Sequence, residues 1–212
     1  MTTEQSPLHL PPEALQRAQA LLQGGGRVLL GIAGTPGSGK STVARLLAQA
    51  LGPVAVVVPM DGYHLANTQL RRLGRHDRKG APDTFDVEGY RAALLRLRDQ
   101  QDETVYLPHF AREIEEPIAN AIAVSRQTQL VITEGNYLLL PEGPWAPVAD
   151  LFDDTWYVSV NSDTRHRRLV QRHQRYGRSP EEAEAWANTV DEPNARLIEQ
   201  HQARAGFVLP WD

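Results

Sequence analysis

Cysteine is absent from the 212-residue sequence, which excludes disulfide bonds and chemistry on a thiolate. No apolar run approaches the roughly 18 residues of a membrane-spanning helix, and the first residues lack the basic and apolar segments of a signal peptide. The net charge of −4 argues against general nucleic-acid binding. We therefore expect a soluble cytoplasmic protein with neither a membrane nor a nucleic-acid partner. Its assembly state is left open, with a homodimer as one alternative.

Lysine is also scarce, because only Lys40 and Lys79 occur among the 22 basic residues, the others being arginine. Lysine carries a compact charge on a flexible stem, whereas the guanidinium group of arginine is a planar fork. Retention of a lysine at position 40 therefore indicates a site that needs a point charge.

Residues 34–41 read G-x-x-x-x-G-K-S, between an apolar run and a segment with helical periodicity. This is the pattern of a phosphate-binding loop, in which glycines let backbone N–H groups curl around a phosphate at a helix N-terminus. Lys40 is expected to reach the β- and γ-phosphates of a nucleotide, and Ser41 to coordinate Mg²⁺. A glycine-rich turn before an ordinary helix is the alternative. The predicted nucleotide-binding residues of the loop are Gly34, Thr35, Pro36, Gly37, Ser38, Gly39, Lys40, Ser41 and Thr42.

Two further apolar runs each end at an acidic residue. Residues 54–58 are typical of a strand buried on both faces and lead to Asp61, and residues 130–133 lead to Glu134. Reacting groups of α/β proteins lie at the carboxyl ends of such strands. Asp61 is predicted to be a general base or an indirect Mg²⁺ ligand, and Glu134 to act on Mg²⁺. The alternatives are a helix cap for Asp61 and a strand-end turn for Glu134.

Four arginines share one face of a predicted helix that begins near residue 162, namely Arg165, Arg168, Arg172 and Arg175. No acidic residue lies between Arg165 and Arg178, so this face repels itself unless an anion or acidic partners lie opposite. We predict a lid over residues 162–180 that closes arginines onto a triphosphate; a solvated basic face is the alternative.

Two segments are candidate substrate loops, over residues 74–87 and 106–117. The first is rich in Gly, Pro and basic residues, which indicates either a solvated loop or a flap over a substrate. The second follows a short predicted edge strand and carries Tyr106, His109, Phe110 and Arg112, which combine flat apolar faces with hydrogen-bond donors. Each of these side chains could equally serve packing.

The remaining pattern predicts one domain over residues 1–212. Residues 1–10 read as a mobile leader, followed by helices beginning near Pro12, His64, Val87, Ser179 and Asp191. Residues 155–160 predict a fourth buried strand, and residues 207–209 a short terminal strand.

The motifs together resemble the family of uridine kinases, phosphoribulokinases and bacterial pantothenate kinases. The residues that carry the resemblance are 34–42, 60–63, 78–86, Tyr106 with Pro108, Glu134 with Gly135, and the Arg165, Arg168 and Arg172 series. Small bacterial proteins assigned as nucleoside or fructose kinases look closest. His173 departs from the uridine kinases, which commonly carry an aspartate after the last lid arginine.

The resemblance implies a P-loop α/β/α sandwich around a mostly parallel five-stranded sheet, with ATP and Mg²⁺ as cofactors. It implies that Asp61 is the catalytic acid, Glu134 the second acid, and Arg168 and Arg172 the lid arginines, with Lys40 also catalytic. Arg165 is expected to help bind the nucleotide. Substrate-binding residues would be Asp61, Tyr63, His64, Phe85, Asp86, Tyr106, His109 and Arg112.

The resulting hypothesis is a kinase that transfers the γ-phosphoryl group of ATP to a hydroxyl of a nucleoside, pantothenate or a sugar. Two rivals remain. A regulatory NTPase would act through a protein partner, although the sequence has no N-K-x-D guanine-reading motif. An RNA-binding protein would use the basic loop and lid, against an acidic net charge.

Overall fold

A computed structural model describes residues 9–211, so eight of the ten residues assigned to the leader lie outside the described part. The helices are α1 Pro12–Leu22, α2 Lys40–Leu51, α3 Asn67–Arg72, α4 Val87–Arg98, α5 Ser162–Arg175, α6 Pro180–Trp186 and α7 Glu192–Glu199. The strands are β1 Val28–Ala33, β2 Ala55–Val57, β3 Thr104–Ala111, β4 Glu116–Ser125, β5 Leu130–Gly135, β6 Asp154–Ser159 and β7 Phe207–Pro210.

A five-stranded sheet of order β2-β5-β1-β6-β7 forms the centre, and all four of its strand pairs are parallel. Two apolar clusters cover its faces. Helices α1 and α2 contribute Ala14 and Leu47 to one, and helices α4 and α7 contribute Leu94 and Ile198 to the other. The predicted three-layer α/β/α sandwich is therefore confirmed.

The expectation that residues 54–58 form a strand buried on both faces is wrong. Strand β2 is half-buried and lies at the edge of the sheet, where β5 is its one partner among the described strands. A run of valines favours a strand, but it does not determine whether that strand is central or at the edge of the sheet.

The strand expected within residues 104–112 is confirmed as β3, but it is eight residues long, and the expectation that a loop follows over residues 106–117 is wrong. Strand β3 pairs antiparallel with β4, which the sequence reading missed, and a tight turn joins the two. The resulting hairpin is a separate two-stranded sheet. It packs against the turn after β2: a Cβ atom at Gly62 would lie 2.5 Å from the carbonyl oxygen of Pro108.

The helix predicted from His64 is shorter than expected. Residues Met60–Tyr63 form a 3₁₀ turn, and α3 begins only at Asn67. Residues 74–86 contain two short 3₁₀ turns between α3 and α4. The core holds this loop through Tyr137, whose hydroxyl donates to the carbonyl of Gly80, and Trp145, whose indole N–H donates to the carbonyl of Pro82.

Candidate active site

The glycine-rich turn joins β1 to α2 at the carboxyl end of the sheet. Gly37 and Gly39 have φ values of 80° and 93°, which disfavour any residue with a Cβ atom. Neighbours also crowd the turn, because a Cβ at Gly37 would lie 2.9 Å from the carbonyl oxygen of Arg165. No side chain caps the N-terminus of α2 at Gly39, so its first-turn amides are available to a ligand.

Lys40, Ser41 and Glu134 form the polar floor beside this turn. The Ser41 hydroxyl donates a hydrogen bond of 2.8 Å to Oε1 of Glu134, whose other carboxylate oxygen is buried without a partner in the described chain. Burial raises the pKa of Glu134, and Lys40 opposes this effect. Burial lowers the pKa of Lys40, while the charges of Glu134 and Asp61 act to raise it.

Asp61 lies on the 3₁₀ turn that follows β2 and is paired with Arg112 at the end of the hairpin strand β3. Nη2 of Arg112 donates to Oδ2 of Asp61 at 2.6 Å. Burial alone would raise the pKa of Asp61, but the charges of Arg112, Lys40 and other neighbours bring it to about 2. The carboxylate is therefore ionised at neutral pH, and Oδ1 has no hydrogen bond within the described residues.

His64 has a defined tautomer. Its Nδ1 lies 3.1 Å from the backbone carbonyl of Asp61, an oxygen that can only accept, so Nδ1 carries the proton. The rings of Phe85 and Phe110 flank the imidazole, with centroids 4.0 and 4.6 Å away. Burial lowers the pKa of His64 to about 4, which leaves the ring neutral.

The proposed lid helix α5 brings arginines toward the same place. Arg165 is buried and donates to Oε2 of Glu192 at 2.5 Å, while its Nε and Nη1 atoms are buried without a partner in the described chain. Nη1 of Arg168 lies 3.4 Å from the carbonyl oxygen of Trp211. Arg172 borders the central cavity, and burial lowers its pKa.

A cavity of about 330 Å³ joins these groups. The predicted site residues that border it are Pro36, Lys40, Ser41, Asp61, His64, Arg112 and Arg172. The phosphate loop after β1 and the turn after β2 therefore bring Lys40, Ser41 and the ionised carboxylate of Asp61 to one space. Glu134, at the end of β5, does not border the cavity and lies behind Ser41, to which it is hydrogen-bonded. Hairpin β3-β4 and helix α5 enclose the cavity from two sides.

The structure does not bring five of the predicted substrate residues to the cavity lining. Tyr63 and Phe85 are buried behind it, where Tyr63 packs on Tyr90 and Phe85 on His64. Asp86 accepts from the Gly89 N–H and caps α4. The last two, Tyr106 and His109, are exposed on the hairpin.

Several residues that border the cavity carried no role in the sequence reading. Some lie within predicted segments without a role of their own: His76, Lys79 and Gly80 in the loop 74–87, Glu115 in the loop 106–117, and Tyr176, Gly177 and Arg178 in the lid 162–180. Those outside these segments are Asn67, Asn136, Trp186, Asp191 and Asn194. Asn136 could have been predicted to lie at the site, because it is only two residues after Glu134. The rest depend on tertiary contacts between segments distant in sequence.

Trp211 is a further missed neighbour of the phosphate loop. It is buried, and its indole lies within 2.7 Å of the position that a Cβ atom of Gly39 would occupy. Its backbone N–H donates to the carbonyl of Ser159 at 2.7 Å, which fixes the chain end beside β6. Strand β7 thus carries an indole to the glycine that precedes Lys40.

Comparison with known proteins agrees with this geometry. A family model described as "Phosphoribulokinase / Uridine kinase family" matches residues 29–210. The chain belongs to this family. A Schizosaccharomyces pombe protein provisionally named a uridine kinase is 33% identical over 208 residues, covering 93% of this chain and 88% of its own. The pantothenate kinase of Clavibacter michiganensis is 32% identical over 218 residues, covering 87% of this chain and 66% of its own.

A solved structure is similar in both fold and sequence. A crystal structure from Silicibacter sp. TM1040, provisionally named a fructose transport system kinase, superimposes with a TM-score of 0.84. Its sequence is 38% identical, and the match covers 93% of this chain and 98% of the other. The present chain, as a member of the phosphoribulokinase/uridine kinase family, is a small-molecule kinase with the P-loop α/β/α fold.

The family uses a nucleoside triphosphate, typically with Mg²⁺, and the residues present fit both. Buried polar atoms without a partner in the described chain, on Ser38, Glu134 and Arg165, surround the phosphate loop. Clusters of three or more metal-binding side chains are absent from the described residues. A Ser41–Glu134 pair nevertheless suits Mg²⁺, which keeps waters and substrate phosphates as ligands. None of the described helices is long and apolar enough to cross a membrane.

Proposed function

We propose that this family member transfers the γ-phosphoryl group of ATP to a hydroxyl group of a small metabolite. One observation carries the proposal: the ionised carboxylate of Asp61 and the ammonium group of Lys40 border a single cavity beside the phosphate loop. A kinase for alcohols needs these two elements near each other, one to orient the hydroxyl and one to hold the phosphates.

Asp61 would receive the acceptor hydroxyl on its free oxygen Oδ1, because Arg112 occupies Oδ2. As the acceptor oxygen forms its bond to the γ-phosphorus and the bond from that phosphorus to the β–γ bridging oxygen breaks, the hydroxyl proton passes to Asp61. ADP is the leaving group, and the proton is later released to water. Asp61, held ionised by its neighbours, is ready to accept it.

Lys40, Arg168 and Arg172 would stabilise the negative charge on the oxygens of the transferring group. Ser41 and Glu134 would hold Mg²⁺, which when bound neutralises phosphate charge and orients the triphosphate. Arg165 would offer its two unpartnered nitrogens to the nucleotide. Residues 162–180 would form the lid, and residues 74–87 and 106–117 the walls of the acceptor site, in one domain over 1–212.

The names of the relatives suggest acceptors to try, namely a nucleoside such as uridine, pantothenate, or a sugar such as fructose. The test is ADP release from ATP and Mg²⁺ over a panel of these compounds and glycerate. We expect one acceptor to stimulate ADP release strongly and to appear as a phosphate ester by mass spectrometry. Failure of every acceptor, with hydrolysis stimulated instead by a protein partner, would favour the regulatory NTPase.

Two variants separate the proposed roles. Asp61→Asn should lower turnover by about 10² to 10⁴ and leave ATP affinity nearly intact, because a general base acts on the acceptor. Lys40→Ala should weaken ATP binding and turnover together, since the ammonium holds the phosphates throughout. Turnover close to that of the native protein in Asp61→Asn would refute the assignment of the base.

A further inference from the structure

Both lysines of the chain border the same cavity, although arginine supplies every other basic side chain. Lys40 lies on the phosphate loop. Lys79 lies on the opposite side, in the loop between α3 and α4, and is half-buried. The proposed chemistry accounts for Lys40, but it gives Lys79 no role, so the choice of lysine there needs its own explanation.

The ammonium group of Lys79 is held by neutral oxygens. Nζ donates to Oδ1 of Asn67 at 2.6 Å and to the backbone carbonyl of Glu115, and it lies 5.1 Å from the centre of the Phe110 ring. An ammonium has three N–H donors, so one remains. Over the described residues, no carboxylate oxygen lies within 4.0 Å of Nζ. A planar guanidinium could not reproduce this tetrahedral arrangement.

The acidic residues around Lys79 are engaged elsewhere. Both carboxylate oxygens of Glu116 accept from the backbone N–H of Asn67 at 3.1 Å, and the side chain of Glu115 is exposed. Asp61 is paired with Arg112. Burial lowers the pKa of Lys79, and the more distant charges of Glu115 and Glu116 oppose this effect.

Asp191, which borders the far side of the cavity, is paired with His173 at 2.7 Å. Of the three acidic residues that border the cavity in the described chain, Asp61 and Asp191 are bonded to other side chains, and Glu115 is exposed and forms no ion pair with Lys79 within 4.0 Å. A partly desolvated ammonium without a bonded counter-ion is costly, and an anion at its remaining N–H would offset that cost.

On the basis of the proposed function, we infer that Lys79 binds a carboxylate group of the acceptor, so that the acceptor is a small hydroxy acid. Its hydroxyl meets Asp61 while its carboxylate meets the free N–H of Lys79. A monoanionic carboxylate fits better than a phosphate group, because the single remaining donor of Lys79 could satisfy few of the oxygens of a dianion. Neutral sugars and nucleosides would leave the ammonium without a counter-ion.

The test compares acceptors in matched pairs that differ by the acid group: D-glycerate with glycerol, pantothenate with pantothenol, and D-gluconate with D-glucose. Uridine, D-fructose and D-ribulose 5-phosphate complete the panel, and ADP release gives kcat/KM for each. We expect an acid to exceed its neutral partner by about tenfold or more, the scale of one charge-assisted hydrogen bond.

Lys79→Gln should collapse the ratio of acid to neutral kcat/KM toward 1 while the KM for ATP stays within about twofold, since the change removes only the charge that meets the acid. Lys79→Arg should retain part of the ratio. Arg71→Gln is the matched control, because Arg71 is a nearby exposed cation on α3 that does not border the cavity.

Preference for a nucleoside, a neutral sugar or the sugar phosphate would overturn the inference. An unchanged ratio of acid to neutral kcat/KM in Lys79→Gln would also overturn it. An equal loss of kcat/KM for all acceptors would do the same, because it would mean that Lys79 only links Asn67 to Glu115. If no compound of any class stimulates ADP release by the native protein, the proposed function itself fails, a result distinct from these.

Discussion

Arg112 holds the carboxylate of Asp61 in its charged form, so replacing Arg112 by glutamine should move the acid limb of the pH–activity profile upward. The two side chains meet at 2.6 Å, and both are at least two-thirds buried. Burial favours the protonated carboxyl group, while Arg112 contributes the largest opposing charge. Glutamine keeps a similar length and removes the charge.

The size of the effect follows from the pKa of Asp61. The interval between its ordinary value of 3.8 and about 2 corresponds to about 2 kcal/mol in favour of the ionised form. Without Arg112, the largest charge that opposes burial is lost, and the pKa of Asp61 should rise. Because the competent base is the ionised form, activity should then be lost as pH falls through this raised value. At neutral pH, loss of a charge-assisted bond that orients Asp61 should lower kcat/KM by about 10 to 100-fold.

The assay measures kcat/KM for the acceptor between about pH 4.5 and 9, by direct detection of ADP without coupling enzymes that have their own pH limits. Arg112→Lys should keep most of the native profile because it retains a positive charge. Arg91→Gln controls for loss of an arginine elsewhere, since Arg91 forms an exposed pair with Glu88. Superposition of the Arg112→Gln and native profiles, in both shape and height, would refute the reasoning.

Three more predictions concern the nucleotide side. Gly37→Ala should weaken ATP binding by about tenfold, because a positive φ costs about 1–2 kcal/mol in any L-residue; calorimetric titration measures this, and Gly24→Ala, in open space, is the control. Trp211→Ala should raise the KM for ATP more than it lowers kcat, since the indole packs against Gly39. In Trp211→Phe, whose ring can still pack there, the KM for ATP should stay close to the native value. Glu134→Gln should raise the Mg²⁺ concentration for half-maximal activity roughly tenfold or more, as a titration of activity with Mg²⁺ would reveal.

The strand, turn and helix over residues 28–51 were predictable because glycine spacing and periodicity agree there. Strand β4 was not, since its sequence is rich in alanine and includes Pro117 and Asn120, the latter with a φ of 59°. These residues are poor strand formers alone. Pairing with β3 creates the strand, and that contact between segments is invisible in either segment by itself.

The outward position of Tyr106 was available from the sequence. Side chains alternate along a strand, so burial of Val105 and Leu107 requires Tyr106 to face away from them, and it is 57% exposed. The positions of Lys79 and Trp211 were harder to predict, because Lys79 lies where a loop meets the hairpin and Trp211 lies where the end of β7 meets the phosphate loop. Motifs locate residues at strand ends; they do not locate residues that arrive from other parts of the chain.

Acids on other segments lie opposite the basic helix α5. Glu192 is paired with Arg165, while Glu184 and Asp191 are hydrogen-bonded to His166 and His173. The aspartate that uridine kinases commonly carry at position 173 is replaced by histidine, and the acid comes instead from the π-helical turn before α7.

Arg172 has no carboxylate within 4.0 Å in the described chain, although it borders the cavity together with Arg112, whose charge acts to lower its pKa. Two arginines held near each other raise the cost of an empty anion site. Among the arginines of α5 in the described chain, Arg165 is paired with an acid, whereas Arg172 borders the cavity without one. Under the proposed function, the charge of Arg172 at the cavity would be neutralised by a bound triphosphate.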